Sequence, residues 1–295
     1  MLALAAALAA LLTSATPQGQ DFRWRGLVPR GRTIEVQGII GGITAEPARG
    51  DSVEVVATSH AGEHGAAAAV TFTVLTHQDG VTICVIYPRH RSDRGDWNRR
   101  WGGRCADERR EAPFADDEND TRVDFVVRVP RGVRFLGQTV TADVTVRGLR
   151  GDAEGYTIAG DVLLSEVEAG VVDAASLSGD ITLHHVSARQ VYLGTMSGAI
   201  TFDGPIHHGG LYDFLTWSGR IHVVLPGRSA FDLSVFQTDG SPRIAVAGLS
   251  VRLERSHRYR GRLGAGGARL QLEALNGEVE IEQCLATCNL PSGNP

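Results

Sequence analysis

Ser178-Gly179-Asp180-Ile181-Thr182-Leu183 returns nineteen residues later as Ser197-Gly198-Ala199-Ile200-Thr201-Phe202. Related phrases start at Gly160, Gly219 and Gly277, and a stretched copy runs from Gly240 to Ile244. Each phrase is a glycine, one variable residue, and then two apolar residues on either side of a third position. A period of roughly 20 residues built on two-residue alternation marks stacked β-coils, in which each repeat buries its apolar face on its neighbours. The fold expected is all-β, a single-stranded right-handed parallel β-helix. In that stack Val162, Ile181, Ile200, Ile221 and Val279 form one inward ladder, and Leu164, Leu183, Phe202, Val223 and Ile281 form another.

Outward from the repeats, each has a second strand before its turn, such as Gln190 to Thr195 or Phe231 to Val235. Upstream, Val81 to Tyr87 and Val123 to Val129 are rich in β-branched residues and end at Pro88 and Pro130, so they also read as strands. The organisation expected is a signal peptide and polar linker over 1–20 and an N-terminal β region over 21–131. The β-helix repeats follow over 132–283, with a tail over 284–295.

Met1 to Leu12 are almost all Ala and Leu, and Thr13-Ser14-Ala15 offers the small residues of a cleavage site. Export is therefore expected, to the periplasm or the cell surface, with no transmembrane segment in the mature chain because no apolar run reaches about 20 residues. Met1-Leu2 carries no basic residue, which leaves room for a longer leader upstream.

Four cysteines in an exported chain point to disulfides. Of the three pairings, Cys84 with Cys105 and Cys284 with Cys288 is preferred, the first stapling an insertion between strands and the second closing a small loop. Zinc would need paired short spacings and nearby His, which these Cys lack, so no metal is expected.

The 29 basic residues are all Arg. Without Lys, the usual phosphate-binding loop and Schiff-base chemistry fall away, and no cofactor is expected. A formal net charge of -5, with basic residues outside the insertion scattered among acids, argues against nucleic acid as a partner.

The Ser-Gly-x-Ile phrases at 178–181, 197–200 and 218–221, with Gly31 to Val36 and Val129-Pro130, resemble the bacterial β-strand-repeat "putative adhesin" family of unknown function, related to toast-rack-like envelope proteins. The resemblance spans roughly Arg32 to Ile281. It implies an exported parallel β-helix with no established catalytic residues.

Candidate sites follow from the remaining residues. The insertion from Arg89 to Arg104 holds six Arg with two Trp. Of these, Arg94, Arg99, Arg100, Trp97 and Trp101 make the expected surface for an anionic or ring-stacked sugar. The acidic run from Asp116 to Asp120 neutralises it in the competing reading. As a calcium loop that run fails, since Thr121 stands where the turn Gly belongs. His184-His185 and His207-His208 sit at different offsets from their glycines, so stacking is not expected to unite the pairs. Asp161 and Asp180 share one repeat position about 5 Å apart in a stack, which suits a polysaccharide hydrolase or lyase. The plainer role for an Asp after a turn Gly is to bond the local backbone. The function expected is a non-enzymatic envelope or surface module binding polysaccharide or protein, with the Asp161/Asp180 enzyme as the alternative.

Overall fold

The structure, a computed structural model, describes residues 22–62, 70–90, 103–105, 107, 114–115, 120–227 and 229–284. In chain order the strands are β1 (Phe22–Gly26), β2 (Thr33–Gln37), β3 (Ile43–Pro47), β4 (Val53–His60), β5 (Thr71–His77), β6 (Gly80–Ile86), β7 (Arg89–His90), β8 (Phe114–Ala115) and β9 (Arg122–Val129). They continue as β10 (Arg134–Gln138), β11 (Val144–Arg147), β12 (Ala153–Ala159), β13 (Val162–Ser165), β14 (Glu168–Ser178), β15 (Ile181–His184), β16 (Ser187–Ser197) and β17 (Ile200–Asp203). The last are β18 (Leu211–Pro226), β19 (Phe231–Gln237), β20 (Arg243–Ala245), β21 (Ser250–Arg255), β22 (Arg258–Leu263) and β23 (Ala268–Cys284). A 3-10 turn covers Gly103–Cys105. No helix among the described residues is long and apolar enough to cross a membrane.

All strands except β7 and β8 join one solenoid-like sheet with two walls. Along the first wall, parallel pairing runs β6, β2, β10, β12, β14, β16, β18, β23, β19. Along the second it runs β9, β3, β11, β13, β15, β17, then the C-terminal halves of β18 and β23, then β20. The stretched copy at Gly240 to Ile244 thus joins the stack, but beyond β23, which slots between β18 and β19.

Both expected ladders form. Val162 pairs with Ile181, Ile181 with Ile200, Ile200 with Ile221, and Ile221 with Val279, and every member is buried. The first wall answers with Val172, Val191, Tyr212 and Leu270, and Phe202 bridges the walls by meeting Phe214 at 5.3 Å between ring centroids. Each such aliphatic side chain taken from water contributes about 1.5–3 kcal/mol.

The glycine of the repeat sits at the corner between the walls, where stacked backbones come closest. A Cβ on Gly179 would collide with the carbonyl of Gly160, one on Gly198 with that of Gly179, and one on Gly219 with that of Gly198. At the equivalent corner before Gly160 stands Ala142, forced to φ 144°. Three residues ahead of each corner a buried hydroxyl donates to the carbonyl one coil earlier: Thr157 to Ala142 at 2.9 Å, Ser176 to Gly160 at 2.9 Å, Thr195 to Gly179 at 3.1 Å and Thr216 to Gly198 at 3.1 Å.

Open ends of a parallel stack invite pairing with other chains. Here antiparallel strands close them: β5 on β6, β4 and β1 beyond β9, and β22 and β21 beyond β19.

Candidate functional site

Because side chains alternate across a strand, the first wall turns a regular grid of residues outward. One row crosses the stack as Glu35, Leu136, Glu154, Asp173, Tyr192, Asp213, Gln271, Ser234, Arg260 and Arg252. From Leu136 to Arg252 the row spans eight strand spacings, on the order of 40 Å.

The N-terminal end of this face is closed. Cys84 of β6 is bonded to Cys105, with Cα atoms 5.8 Å apart, and both are fully buried. Arg104, beside that bridge, pairs with Asp79 at 2.9 Å and approaches Glu35 at 3.7 Å. Glu35 in turn accepts from the Thr82 hydroxyl at 2.7 Å. The last arginine of the insertion is therefore neutralised within the molecule. Arg94, Arg99, Arg100, Trp97 and Trp101 lie outside the described residues, as do residues 116–119 of the acidic run, the leader expected over 1–20 and Cys288, the partner expected for Cys284.

The middle is acidic and half-buried. Burial pushes the Glu154 and Asp173 carboxyls above their ordinary values, against the Tyr156 phenol, which donates to Glu154 at 3.2 Å. Burial between those two acids drives the phenol up as well. Asp213 is raised by burial and then by the neighbouring Glu273.

The C-terminal end is basic. In β22 the order Arg258-Tyr259-Arg260-Gly261-Arg262 sends three arginines to the outward face, where Arg252 of β21 and Arg269 of β23 join them. Together they line a cavity of about 1000 Å³. Arg262 donates to Asp232 at 2.5 Å and Arg260 pairs with Glu254 at 2.7 Å. The Arg262 guanidinium and the Gly267 N–H hold the Asp232 carboxyl below its ordinary value. Arg252, Arg258 and Arg269 have no carboxylate within ion-pair distance among the described residues, and Arg258 lies over the Phe236 ring at 5.5 Å. Five of the arginines outside the insertion are thus gathered on one face, where scatter was expected. Their signal was the two-residue alternation of Arg from 258 to 262, which a strand converts into one charged face.

An apolar margin borders the grid. Leu177, Met196 and Trp217 occupy one repeat position, two residues before the corner glycine, and are 44%, 53% and 54% exposed. Trp217 gives the open face an aromatic ring.

Asp161 and Asp180 lie elsewhere, after the corner glycines. Asp143 Oδ1 accepts the N–H of Asp161 at 2.8 Å, Asp161 that of Asp180 at 2.8 Å, and Asp180 that of Ala199 at 2.7 Å. Each carboxylate caps the next coil. Ser178, Ser197 and Ser218 stack in register beside them.

The family model Toastrack DUF4097 matches residues 137–282. No curated protein matches the chain. Among solved structures, a putative cell adhesion protein from Clostridium sporogenes is 10% identical, with 90% of this chain and 100% of that chain covered and a TM-score of 0.34. A putative adhesin from Bacteroides fragilis is 11% identical, with 90% and 98% covered and a TM-score of 0.39. A putative adhesin from Parabacteroides merdae is 9% identical, with 89% and 96% covered and a TM-score of 0.23. Through residues 137–282, the chain belongs to the Toastrack family.

Proposed function

We propose that this chain is an exported, non-enzymatic module of the cell envelope or surface, a right-handed single-stranded parallel β-helix with coils of roughly 20 residues. Its first wall binds an anionic polysaccharide, one carrying carboxylate, sulfate or phosphate groups. The observation that carries the reading is the arginine cluster of Arg252, Arg258, Arg260, Arg262 and Arg269 facing two carboxylates, Asp232 and Glu254. Guanidinium forks match such anions in geometry as well as charge. Trp217, Leu215 and the Tyr192 ring add stacking surface along a face long enough for several sugar units. In this reading Arg94, Arg99, Arg100, Trp97 and Trp101 also contact the polymer.

The test is binding of the purified mature chain to acidic and neutral polysaccharides at two salt concentrations. Acidic polymers are expected to bind, more weakly at high salt. Arg252→Gln with Arg269→Gln is expected to weaken binding about tenfold or more, with thermal melts unchanged because both residues are exposed. Equal binding of neutral polymers, or an unaffected variant, overturns the proposal. Reducing ends released in the same incubations, and lost in the Asp161→Ala, Asp180→Ala variant, would make the protein an enzyme instead.

A further inference from the structure

β15 ends at His184 and β17 at Asp203, and the parallel register that sets Leu183 beside Phe202 brings these two terminal residues together across one coil spacing. His185 follows in the left-handed region, at φ 52°. That turn folds its ring against His184, with ring centroids 3.8 Å apart. Asp203 Oδ2 then lies 3.0 Å from His184 Nδ1 and 3.7 Å from His185 Nε2. One ligand atom from each residue falls within 4.8 Å of the others.

The carboxylate is the unusual member. Its side chain is only 2% exposed, while that of His185 is 57% exposed. Asp203 Oδ2 is buried and makes no hydrogen bond, its polar neighbours being the two imidazoles. A buried carboxylate oxygen with no donor is costly, and native proteins nearly always satisfy such an atom. A cation held between the oxygen and the two rings would do so. Two imidazole nitrogens and one carboxylate oxygen form a donor set taken by Zn2+ and its first-row neighbours. A tetrahedral Zn2+ with bonds of 2.0–2.1 Å spaces its ligand atoms by about 3.3 Å. The two histidine-to-carboxylate distances, 3.0 and 3.7 Å, bracket that value, and the two histidine nitrogens lie within 4.8 Å of each other. The exposed flank at His185 gives an ion a way in and leaves a position for water. His207 does not join, because its Nε2 meets the Ser187 hydroxyl at 2.9 Å.

From this geometry we infer that His184, His185 and Asp203 bind a divalent first-row transition-metal ion, with Zn2+ as the ion to test. The ion would tie the ends of two successive coils together. The inference is independent of the polysaccharide reading, since these residues belong to the second wall.

The experiment is calorimetric titration of Zn2+ into the tag-free, chelator-treated full chain, with thermal melts alongside. One ion per chain and a higher melting temperature are expected. His185→Gln changes an exposed ring, so its fold should survive, and it is expected to weaken Zn2+ binding about tenfold or more. Asp203→Asn should do the same. A parent chain that takes up no Zn2+, or a His185→Gln variant that binds as tightly as the parent, overturns the inference.

Discussion

Asp161 Oδ1 accepts the backbone N–H of Asp180 at 2.8 Å. Asp143, Asp161 and Asp180 are thereby joints between successive coils. Asp180→Ala removes the acceptor for Ala199 N–H and is expected to lower stability by about 1 kcal/mol, the scale of one net hydrogen bond. Urea midpoints check this; a midpoint equal to that of the parent would show that water replaces the carboxylate without loss.

From Gly160 to Gly219 the corners leave no room for a side chain. Gly198→Ala, which drives a Cβ into the Gly179 carbonyl, is expected to cost about 3 kcal/mol or more. The converse change, Ala142→Gly, relieves a residue held at φ 144° and is expected to raise stability by about 1 kcal/mol. Denaturant curves on the two variants should therefore move in opposite directions.

Glu154 and Asp173 have raised folded-state pKa values because burial disfavours their charged forms. Between the ordinary and raised values the folded chain holds more protons than the unfolded one, so these groups lower stability as pH rises through that window. Glu154→Gln, which keeps an acceptor for the Tyr156 phenol, should be more stable than the parent at pH 7. The advantage should shrink towards pH 4. Thermal melts at both values decide; a gain that is independent of pH would contradict the assignment.

Cys84 and Cys105 close a loop of 21 residues around the insertion. Replacing both by Ser is expected to remove about 3 kcal/mol, read as a lower urea midpoint. If the insertion also contributes to binding, affinity for acidic polysaccharide should fall before the fold does, measured well below that midpoint.

The parallel stack was legible because its physics is local: a corner glycine followed by Ile, Thr and Leu at 181–183 states both the turn and the buried face. The two apolar ladders can be read from the repeat alone. The hydroxyls of Thr157, Ser176, Thr195 and Thr216 were not recognised, since Ser or Thr near a turn has many possible partners and only stacking selects the carbonyl. The arginine face escaped for a similar reason. Arg258, Arg260 and Arg262 alternate visibly, but Arg252 and Arg269 reach them only through an antiparallel hairpin and through β23, which no repeat spacing announces. The grouping of His184, His185 and Asp203 is hidden because the offsets of the His pairs from their glycines say nothing of an Asp one coil away.

The position of β23 between β18 and β19 sets this stack apart from a pile of coins. In a simple solenoid each new coil settles on the one before, and the chain can be shortened from its C-terminus with only the last coil lost. Here the final strand is the keystone. Without residues 268–284, β19 and the hairpin paired to it have no parallel neighbour to join them to β18. The arginine face is therefore joined to the rest of the first wall only through β23.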